Sequence, residues 1–136
     1  MANEIKIAIR QTAVSTSEAA IRQHKLLIDR PGAKGGDDQG PMGGELFLAA
    51  IGGCFMSNLL AAIKGRQAEV SDAHTEVTGV LDESPARFTA VELNVTAKYS
   101  DREQFEKLVE IADRGCIMMN TLRGKLDIKV RIAELV

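Results

Sequence analysis

The longest apolar stretch of the chain covers residues 46–63 and contains no charged side chain. It is longer than a buried strand and rich in Ala, Leu, Met and Ile, so it predicts a helix. Apolar residues occupy almost all of its circumference, which predicts burial on most sides. The same length suits a membrane span. Two glycines, a serine and an asparagine dilute its apolar character and no second span follows, so we interpret it as the central helix of a domain without membrane association.

Alternation of apolar and polar residues predicts strands on both sides of this helix, because successive side chains of a strand point to opposite faces. The predicted strands comprise residues 5–9, 19–29, 75–81, 91–98 and 126–132, with the third and fourth joined as a hairpin by the turn D-E-S-P-A. No repeat or linker divides the chain, so residues 1–136 are expected to form a single domain. The fold class is α+β, with antiparallel sheets wrapped around a long, central, buried helix.

A second helix is predicted over residues 101–114. Ser100 and Glu103 have the spacing of a capping box at its start, and Gly115 has the character of a C-terminal cap. Its apolar residues share one helical face and are Phe105, Leu108, Val109 and Ala112. Residues 116–122 predict a further short helical segment.

The segment before the central helix, residues 30–44, holds six of the chain's 12 glycines and two of its three prolines, so it predicts a loop. Loops of this length in compact domains are usually functional. Its glycines match neither of the phosphate-binding spacings. Asp37 and Asp38 lack further oxygen ligands at regular intervals, so we interpret them as turn and capping residues.

The composition excludes several function classes. The net charge of -2 offers no attraction to nucleic acid or to an anionic membrane surface. Two cysteines 62 positions apart are too few for a disulfide scaffold and lack the spacing of a zinc site, so no metal or other cofactor is expected. The first residues show no basic segment followed by an apolar stretch, so we expect a cytoplasmic, reducing setting.

Cys54 lies in the middle of the central helix, directly after Gly52 and Gly53. Paired glycines are costly inside a helix, so something must approach the backbone there. Either a strand or helix packs closely, or a substrate or partner residue needs space beside the sulfur. Burial alone raises the pKa of a thiol, so reactivity requires a cation or a hydrogen-bond donor from elsewhere. The candidate cations are Arg30, which we prefer because its loop leads into the helix, and two others, Arg66 and Arg123.

Cys116 follows the helix-ending Gly115 and opens the next helical segment. Unpaired N–H groups and the helix dipole at such a position favour a thiolate. Local electrostatics therefore predicts that Cys116 is the more acidic of the two cysteines.

The order of these features resembles the OsmC/Ohr family. A glycine-rich loop leads to a helix that reads E-L-x-L-A-A-x-G-G-C, and an amphipathic helix, a second cysteine and an alternating closing strand follow. The resemblance covers the chain from about residue 29 onward. It implies an intertwined homodimer with two active sites at the subunit interface. It also implies thiol-dependent reduction of organic hydroperoxides, with a dithiol reductant and no metal or prosthetic group.

The resemblance also implies roles for individual residues. Cys54 matches the cysteine that attacks the peroxide, and Cys116 matches the cysteine that resolves the resulting sulfenic acid as a disulfide. Family members place an arginine beside the attacking sulfur and a glutamate that holds the arginine. Arg30 is our candidate for the arginine. Gly44 occupies the family's glutamate position and Glu45 follows it, about 100° further round the helix, so Glu45 is either the catalytic glutamate or a residue favoured by the helix dipole.

Five apolar residues are candidates to line a pocket for a bulky peroxide, although such residues at helical spacing are commonly ordinary core. They are Met42, Phe55, Met56, Met118 and Met119. Three functions stay open at this point. The chain is a cysteine-based hydroperoxide reductase, or an OsmC-like protein that binds a small molecule or dithiol with little peroxidase activity, or a structural protein whose thiols are inert.

Overall fold

The computed structural model describes residues 2–134 and contains six strands, three helices and a short 3-10 turn at Gly32–Lys34. In chain order the main elements are β1 (Ala8–Gln11), β2 (Ser17–Ile21), β3 (His24–Ile28), α1 (Gly43–Gly65), β4 (Val70–Asp82), β5 (Arg87–Tyr99), α2 (Arg102–Arg114), α3 (Ile117–Leu122) and β6 (Asp127–Ile132). The chain forms two compact units that meet in sequence inside α1. The N-terminal unit extends to Phe47, and the C-terminal unit starts at Leu48.

The N-terminal unit contains a three-stranded antiparallel sheet in the order β1-β2-β3. The single strand predicted over residues 19–29 is wrong, because the structure folds this segment back as the β2–β3 hairpin. The two-residue turn contains Arg22 at a positive φ of 54°. Arg22 and Gln23 give no glycine or asparagine signal for such a turn, which is why the sequence pattern missed it.

The C-terminal unit contains a second sheet in the order β4-β5-β6. β4 and β5 form the predicted hairpin and pair antiparallel along nearly their whole length. β6 pairs parallel to β5, so the expectation of purely antiparallel sheets is wrong at this strand. A parallel neighbour requires a crossover connection, and α2 and α3 together supply it. The alternating residues of β5 that were expected to share a face are buried, namely Val91, Leu93, Val95 and Ala97.

α1 packs along β4 with a regular register. Residues four apart on the helix face residues two apart on the strand, and these steps cover similar distances, about 6 Å and about 6.6 Å. The facing pairs are Leu48 with Gly79, Gly52 with Val77, and Met56 with Thr75. A Cβ atom on Gly52 would come within 2.7 Å of the Val77 Cγ2 atom, and nothing lies within 4 Å of the corresponding position on Gly53. Close packing against a strand therefore accounts for Gly52.

In a single copy of the chain, α1 is buried along one side only. Its buried residues are Ile51, Gly52, Phe55, Leu59 and Ala62. The other side is apolar but exposed, with Leu60 at 51% exposure, and it carries the small residues Ala49, Ala50, Gly53, Ser57 and Ala61. The sequence predicted that α1 is buried on most sides, and in a single copy of the chain only one side of the helix is buried.

α2 matches its predicted range and buries its predicted face, Phe105, Leu108, Val109 and Ala112. Its start differs by one residue from the predicted capping box. Asp101, not Ser100, is the N-cap, and its carboxylate accepts a hydrogen bond from the Gln104 N–H at 3.2 Å. Asp and Ser are similarly good N-caps, so the sequence did not decide between two adjacent candidates. Gly115 is the C-cap, as predicted.

Candidate active site at the cysteine pair

Cys54 and Cys116 meet in the C-terminal unit. Both are free thiols; the Cys54 side chain is half-buried, and Cys116 is fully buried at 0% exposure. Hydrogen bonding between the two thiols lowers the pKa of Cys54 and raises the pKa of Cys116. Residues 62 positions apart in the sequence are therefore neighbours in space.

The link between α2 and α3 carries Cys116 to this position. Cys54 and Asn58 are one turn apart on α1, so their side chains lie on the same side of the helix. A Cβ atom on Gly115 would lie 3.9 Å from the Asn58 Nδ2 atom, which places the link directly over that side. Cys116 then starts α3 as its N-cap, and its carbonyl accepts a hydrogen bond from the Asn120 N–H at 3.0 Å.

The surroundings of Cys54 favour its thiolate. Partial burial alone would raise the pKa of this thiol. Hydrogen bonds from the Met118 N–H, the Cys116 thiol and the Ile117 N–H outweigh it and lower the pKa below its ordinary value. The first turn of α3 therefore directs its N–H groups at the sulfur of a different helix.

The pKa of Cys116 is raised, so the expectation that Cys116 is the more acidic cysteine is wrong. Burial is the largest cause, and its hydrogen bond to Cys54 and the charge on Cys54 raise it further. The N–H groups of Met119 and Met118 lower it by less. Position at the start of a helix identified the right source of stabilisation, since N–H groups of α3 lower the pKa of both cysteines, but burial and the neighbouring Cys54 outweigh them at Cys116.

Arg30 and Glu45 both lie in the N-terminal unit. Arg30 is exposed in the loop before α1. The Glu45 Oε1 atom accepts a hydrogen bond from the Met42 N–H at 2.8 Å, and the Met42 carbonyl accepts the first hydrogen bond of the helix from the Leu46 N–H. This is the reciprocal half of a capping box, in which a glutamate in the first turn reaches back to the N-cap. In this structure Glu45 caps the N-terminus of α1. The catalytic roles of Arg30 and Glu45 stay predictions.

The two other arginines considered as cations have different surroundings. The Arg123 Nη2 atom lies 3.3 Å from an Asp113 oxygen, so this guanidinium is paired with a carboxylate. Arg66 is exposed just after α1. Within the C-terminal unit, the groups that lower the pKa of Cys54 are two amides and a thiol.

The five residues predicted to line a pocket have different positions. Phe55 and Met119 are 0% and 3% exposed and belong to the core. Met56 is half-buried and its sulfur accepts a hydrogen bond from the Thr75 hydroxyl at 3.0 Å. Met118 is half-buried beside Cys54, and Met42 is half-buried in the N-terminal unit.

Ile117 is a neighbour of Cys54 that the sequence analysis did not single out. Its N–H contacts the Cys54 sulfur, and its side chain is 70% exposed. The signal available in the sequence was its position directly after Cys116. Ile117 and Met118 are apolar residues beside Cys54, and we call these two residues the apolar margin of the cysteine pair.

Within residues 2–134, no group of three or more His, Cys, Asp or Glu side chains is placed to hold a metal ion. The chemistry that this arrangement offers is that of two thiols. One is half-buried and has a lowered pKa, and the other is fully buried and has a raised pKa. Such a pair can attack an electrophile and then close to a disulfide.

Comparison with known proteins places this geometry in a family. A family model described as OsmC-like protein matches residues 35–131. An OsmC-like protein from Mycoplasma pneumoniae shares 17% identity and a TM-score of 0.84, with 98% of each chain covered. An organic hydroperoxide resistance protein from Elizabethkingia anophelis shares 20% identity and a TM-score of 0.75, with 99% of this chain and 100% of the other covered.

The organic hydroperoxide resistance protein OhrB from Bacillus subtilis shares 27% identity and a TM-score of 0.69, with 96% of this chain and 98% of that chain covered. No curated protein matches the chain.

α1 is long and apolar enough to cross a membrane by length and composition, a property that the core helix of a soluble protein shares. The family match includes α1, in agreement with its interpretation as a central helix. The α+β class and the resemblance drawn from the motif are thus confirmed, and the chain belongs to the OsmC-like protein family.

Proposed function

We propose that this protein is a thiol-dependent peroxidase that reduces organic hydroperoxides through Cys54 and Cys116. The proposal is carried by the pairing of a half-buried Cys54, whose pKa is lowered, with a fully buried Cys116, whose pKa is raised by burial and by Cys54. The names of the relatives from E. anophelis and B. subtilis, both organic hydroperoxide resistance proteins, support the same substrate class.

The reaction proceeds in two steps. The Cys54 thiolate attacks the terminal oxygen of the hydroperoxide, the O–O bond breaks, and an alcohol leaves. Cys54 becomes a sulfenic acid. Cys116 then attacks the Cys54 sulfur, and a disulfide and water form. A dithiol restores both thiols by exchange, and no metal or prosthetic group takes part.

The apolar margin favours an organic peroxide over hydrogen peroxide. Ile117 is exposed and Met118 is half-buried, and both lie beside the reacting sulfur. Apolar side chains at the entrance bind the carbon part of the substrate by removing its surface from water. Arg30 stays our candidate for a cation that assists the thiolate, with Glu45 as the residue that would hold it.

The test uses the reduced protein, one equivalent of cumene hydroperoxide and mass spectrometry. We expect a loss of two hydrogens and a Cys54–Cys116 crosslink. Cys54→Ser should abolish turnover with a dithiol. Cys116→Ser should complete one stoichiometric reduction and fail to cycle. Wild-type turnover in both variants would refute this mechanism.

A second candidate is a binding protein that has kept the fold but has little peroxidase activity. The observation that favours it is the hydrogen bond from the Met42 N–H to Glu45, which engages this carboxylate in capping α1. This reading expects saturable binding of an apolar ligand by Cys54→Ser and negligible hydroperoxide consumption by the unmodified protein.

We further propose that the protein is a homodimer that acts in the cytoplasm. The apolar side of α1 that stays exposed in one copy supports a second copy as its cover, because exposed apolar patches commonly mark interfaces. β1 adds exposed aliphatic residues, including Ile9 at 57% exposure. The cytoplasmic assignment rests on the two cysteines, which are too few for the disulfide scaffold of a small secreted protein.

A further inference from the structure

We propose that Asn58 is a further catalytic residue, whose side-chain amide donates a hydrogen bond to the oxygen that leaves when a hydroperoxide is cleaved. The inference rests on the proposed function, because it concerns the same thiol and the same class of substrate. It gives a role to a residue that the cycle of the two cysteines does not use.

Asn58 is a polar exception in an apolar helix. Between residues 46 and 63, the side chains that carry a nitrogen or an oxygen are those of Ser57 and Asn58. Asn58 is half-buried, and within residues 2–134 its side chain makes no hydrogen bond. Asparagine is a poorer helix former than leucine or alanine, because its side chain competes for backbone hydrogen bonds. The fold of the chain therefore gains nothing from this amide, and its donor is free for a ligand.

The position of Asn58 connects it to the cysteine pair. It follows Cys54 by four residues, so the two side chains lie on the same side of α1 with their Cβ atoms about 5–6 Å apart. A Cβ atom on Gly115 would lie 3.9 Å from the Asn58 Nδ2 atom. The amide nitrogen is thus beside the link that leads into Cys116.

The cleavage of a peroxide requires a donor at this distance from the sulfur. When a thiolate attacks the terminal oxygen, negative charge develops on the second oxygen, and a donor placed there stabilises the transition state. The attacked oxygen lies about 3–3.5 Å from the sulfur before reaction, and the second oxygen is one bond further away. A donor on the next turn of the same helix can reach that oxygen, since catalytic hydrogen bonds span about 2.6–3.2 Å.

The amide takes part in the step without losing a proton. A bond forms between the Cys54 sulfur and the terminal oxygen, and the O–O bond breaks. Its electron pair leaves with the alkoxide, so the sulfur is oxidised and the peroxide is reduced. The hydrogen of the terminal oxygen stays on the resulting sulfenic acid. The alkoxide, held by the Asn58 amide, takes a proton from water and departs as the alcohol.

The experiment uses Asn58→Leu, which replaces the amide by an apolar side chain of similar branched shape. It compares two reactions of Cys54 in the reduced, folded protein at neutral pH, namely oxidation by cumene hydroperoxide and alkylation by iodoacetamide, whose leaving group is iodide. Acid quenching and mass spectrometry measure both rates. We expect oxidation to be about tenfold slower, because a hydrogen bond to a charged group corresponds to roughly that factor, and alkylation to be unchanged.

Ser57→Ala is the matched control, because it removes the neighbouring polar side chain, which is exposed and about 100° further round the helix. It should leave both rates unchanged. Asn58→Leu should unfold at the same or a higher temperature, since leucine is the better helix former and no hydrogen bond within the chain is lost. If leucine does not fit, Asn58→Ala provides the same test and should show the same tenfold loss.

The outcomes separate this inference from the proposed function. An unchanged ratio of oxidation to alkylation in the Asn58 variants, with an active wild type, would overturn the inference alone. A lower unfolding temperature with equal slowing of both reactions would make Asn58 a structural residue and would also overturn it. A wild-type protein that consumes no hydroperoxide would overturn the proposed function and this inference together.

Discussion

A single carboxylate, Asp29, organises the glycine-rich loop of the N-terminal unit. It is 3% exposed. Its oxygens accept hydrogen bonds from the Thr16 hydroxyl at 2.9 Å and from the N–H groups of Arg30 at 2.7 Å, Asp37 at 3.3 Å and Gln39 at 3.2 Å. Burial alone would raise the pKa of this carboxyl, but hydrogen bonds from the Arg30 N–H, the Thr16 hydroxyl and the Gln39 N–H outweigh it and lower the pKa from 3.8 to about 2.

The pKa of Asp29 predicts how the loop responds to acid. Because the pKa is lower in the folded protein, the carboxylate stabilises the fold at pH values above its unfolded pKa, and this stabilisation is lost as the pH falls from 3.8 towards about 2. Asp29→Asn should lower the unfolding temperature at pH 7 and remove that part of the acid dependence. Asp37→Asn is the control, because its exposed side chain accepts only a long hydrogen bond, 3.5 Å from Ser15. Equal unfolding temperatures for the two variants would contradict this role.

At the level of single residues, residue type and family motif nominated Cys54 and Cys116, and their catalytic roles stay predictions. The sequence did not predict the relative acidity of the two thiols or the hydrogen bonds that Asp29 accepts. The acidity of each thiol depends on its burial and on the amides of α3, and the four donors around Asp29 come from residues up to 13 positions away. Both are set by tertiary contacts, which local patterns do not contain.

At the level of elements, the two adjacent glycines of α1 have different surroundings. Val77 lies against Gly52, and the corresponding space at Gly53 is open in a single copy of the chain. Gly52→Ala should destabilise the chain by about 1–3 kcal/mol, because Val77 is a stiff, β-branched side chain that cannot easily move away. Denaturant unfolding measures this effect.

Gly53→Ala is the matched control for the same chemical change one residue later. Alanine is favoured over glycine inside a helix by up to about 1 kcal/mol, so the fold of the chain itself should gain stability or be unchanged. A loss of stability equal to that of Gly52→Ala, measured at a protein concentration at which the chain is monomeric, would contradict this register of α1 along β4.

Local patterns predicted the helices well and the connections less well. The long apolar stretch and the amphipathic face of α2 carry strong periodic signals, and both helices form where expected. The hairpin turn at Arg22 carries no such signal. Whether β6 pairs parallel or antiparallel depends on the strand beside which it lies. A pairing partner far away in sequence decides this direction, so the alternation within β6 could not reveal it.

At the level of the whole molecule, the exposed apolar side of α1 predicts the state of assembly. We expect the 14.7 kDa chain to sediment as a dimer. Leu60→Lys should shift it towards the monomer, because a lysine in an apolar interface would bury a charge. Analytical ultracentrifugation measures the distribution.

Val80→Lys is the control for Leu60→Lys. Both side chains are 51% exposed. Val80 lines a cleft of about 480 Å³ beside the charged residues Glu92, Lys129 and Arg131, so a lysine there joins side chains that are already charged. It should leave the assembly unchanged, and a monomeric wild-type protein would refute the homodimer.

The structure divides the chain into two compact units. That residues 1–136 form one domain stays a prediction.

The contact between Cys54 and Cys116 has a consequence for chain topology. Once oxidised, the pair closes a ring that contains β4, β5 and α2, and a ring of this length restricts the unfolded chain by about 4 kcal/mol in the loop-entropy treatment. The oxidised protein should therefore unfold at a higher temperature than the reduced protein, and Cys116→Ser should lose the difference. We expect the proposed catalytic cycle to alternate the chain between a linear form and a form closed by the disulfide, so calorimetry would follow the redox state without a peroxide assay.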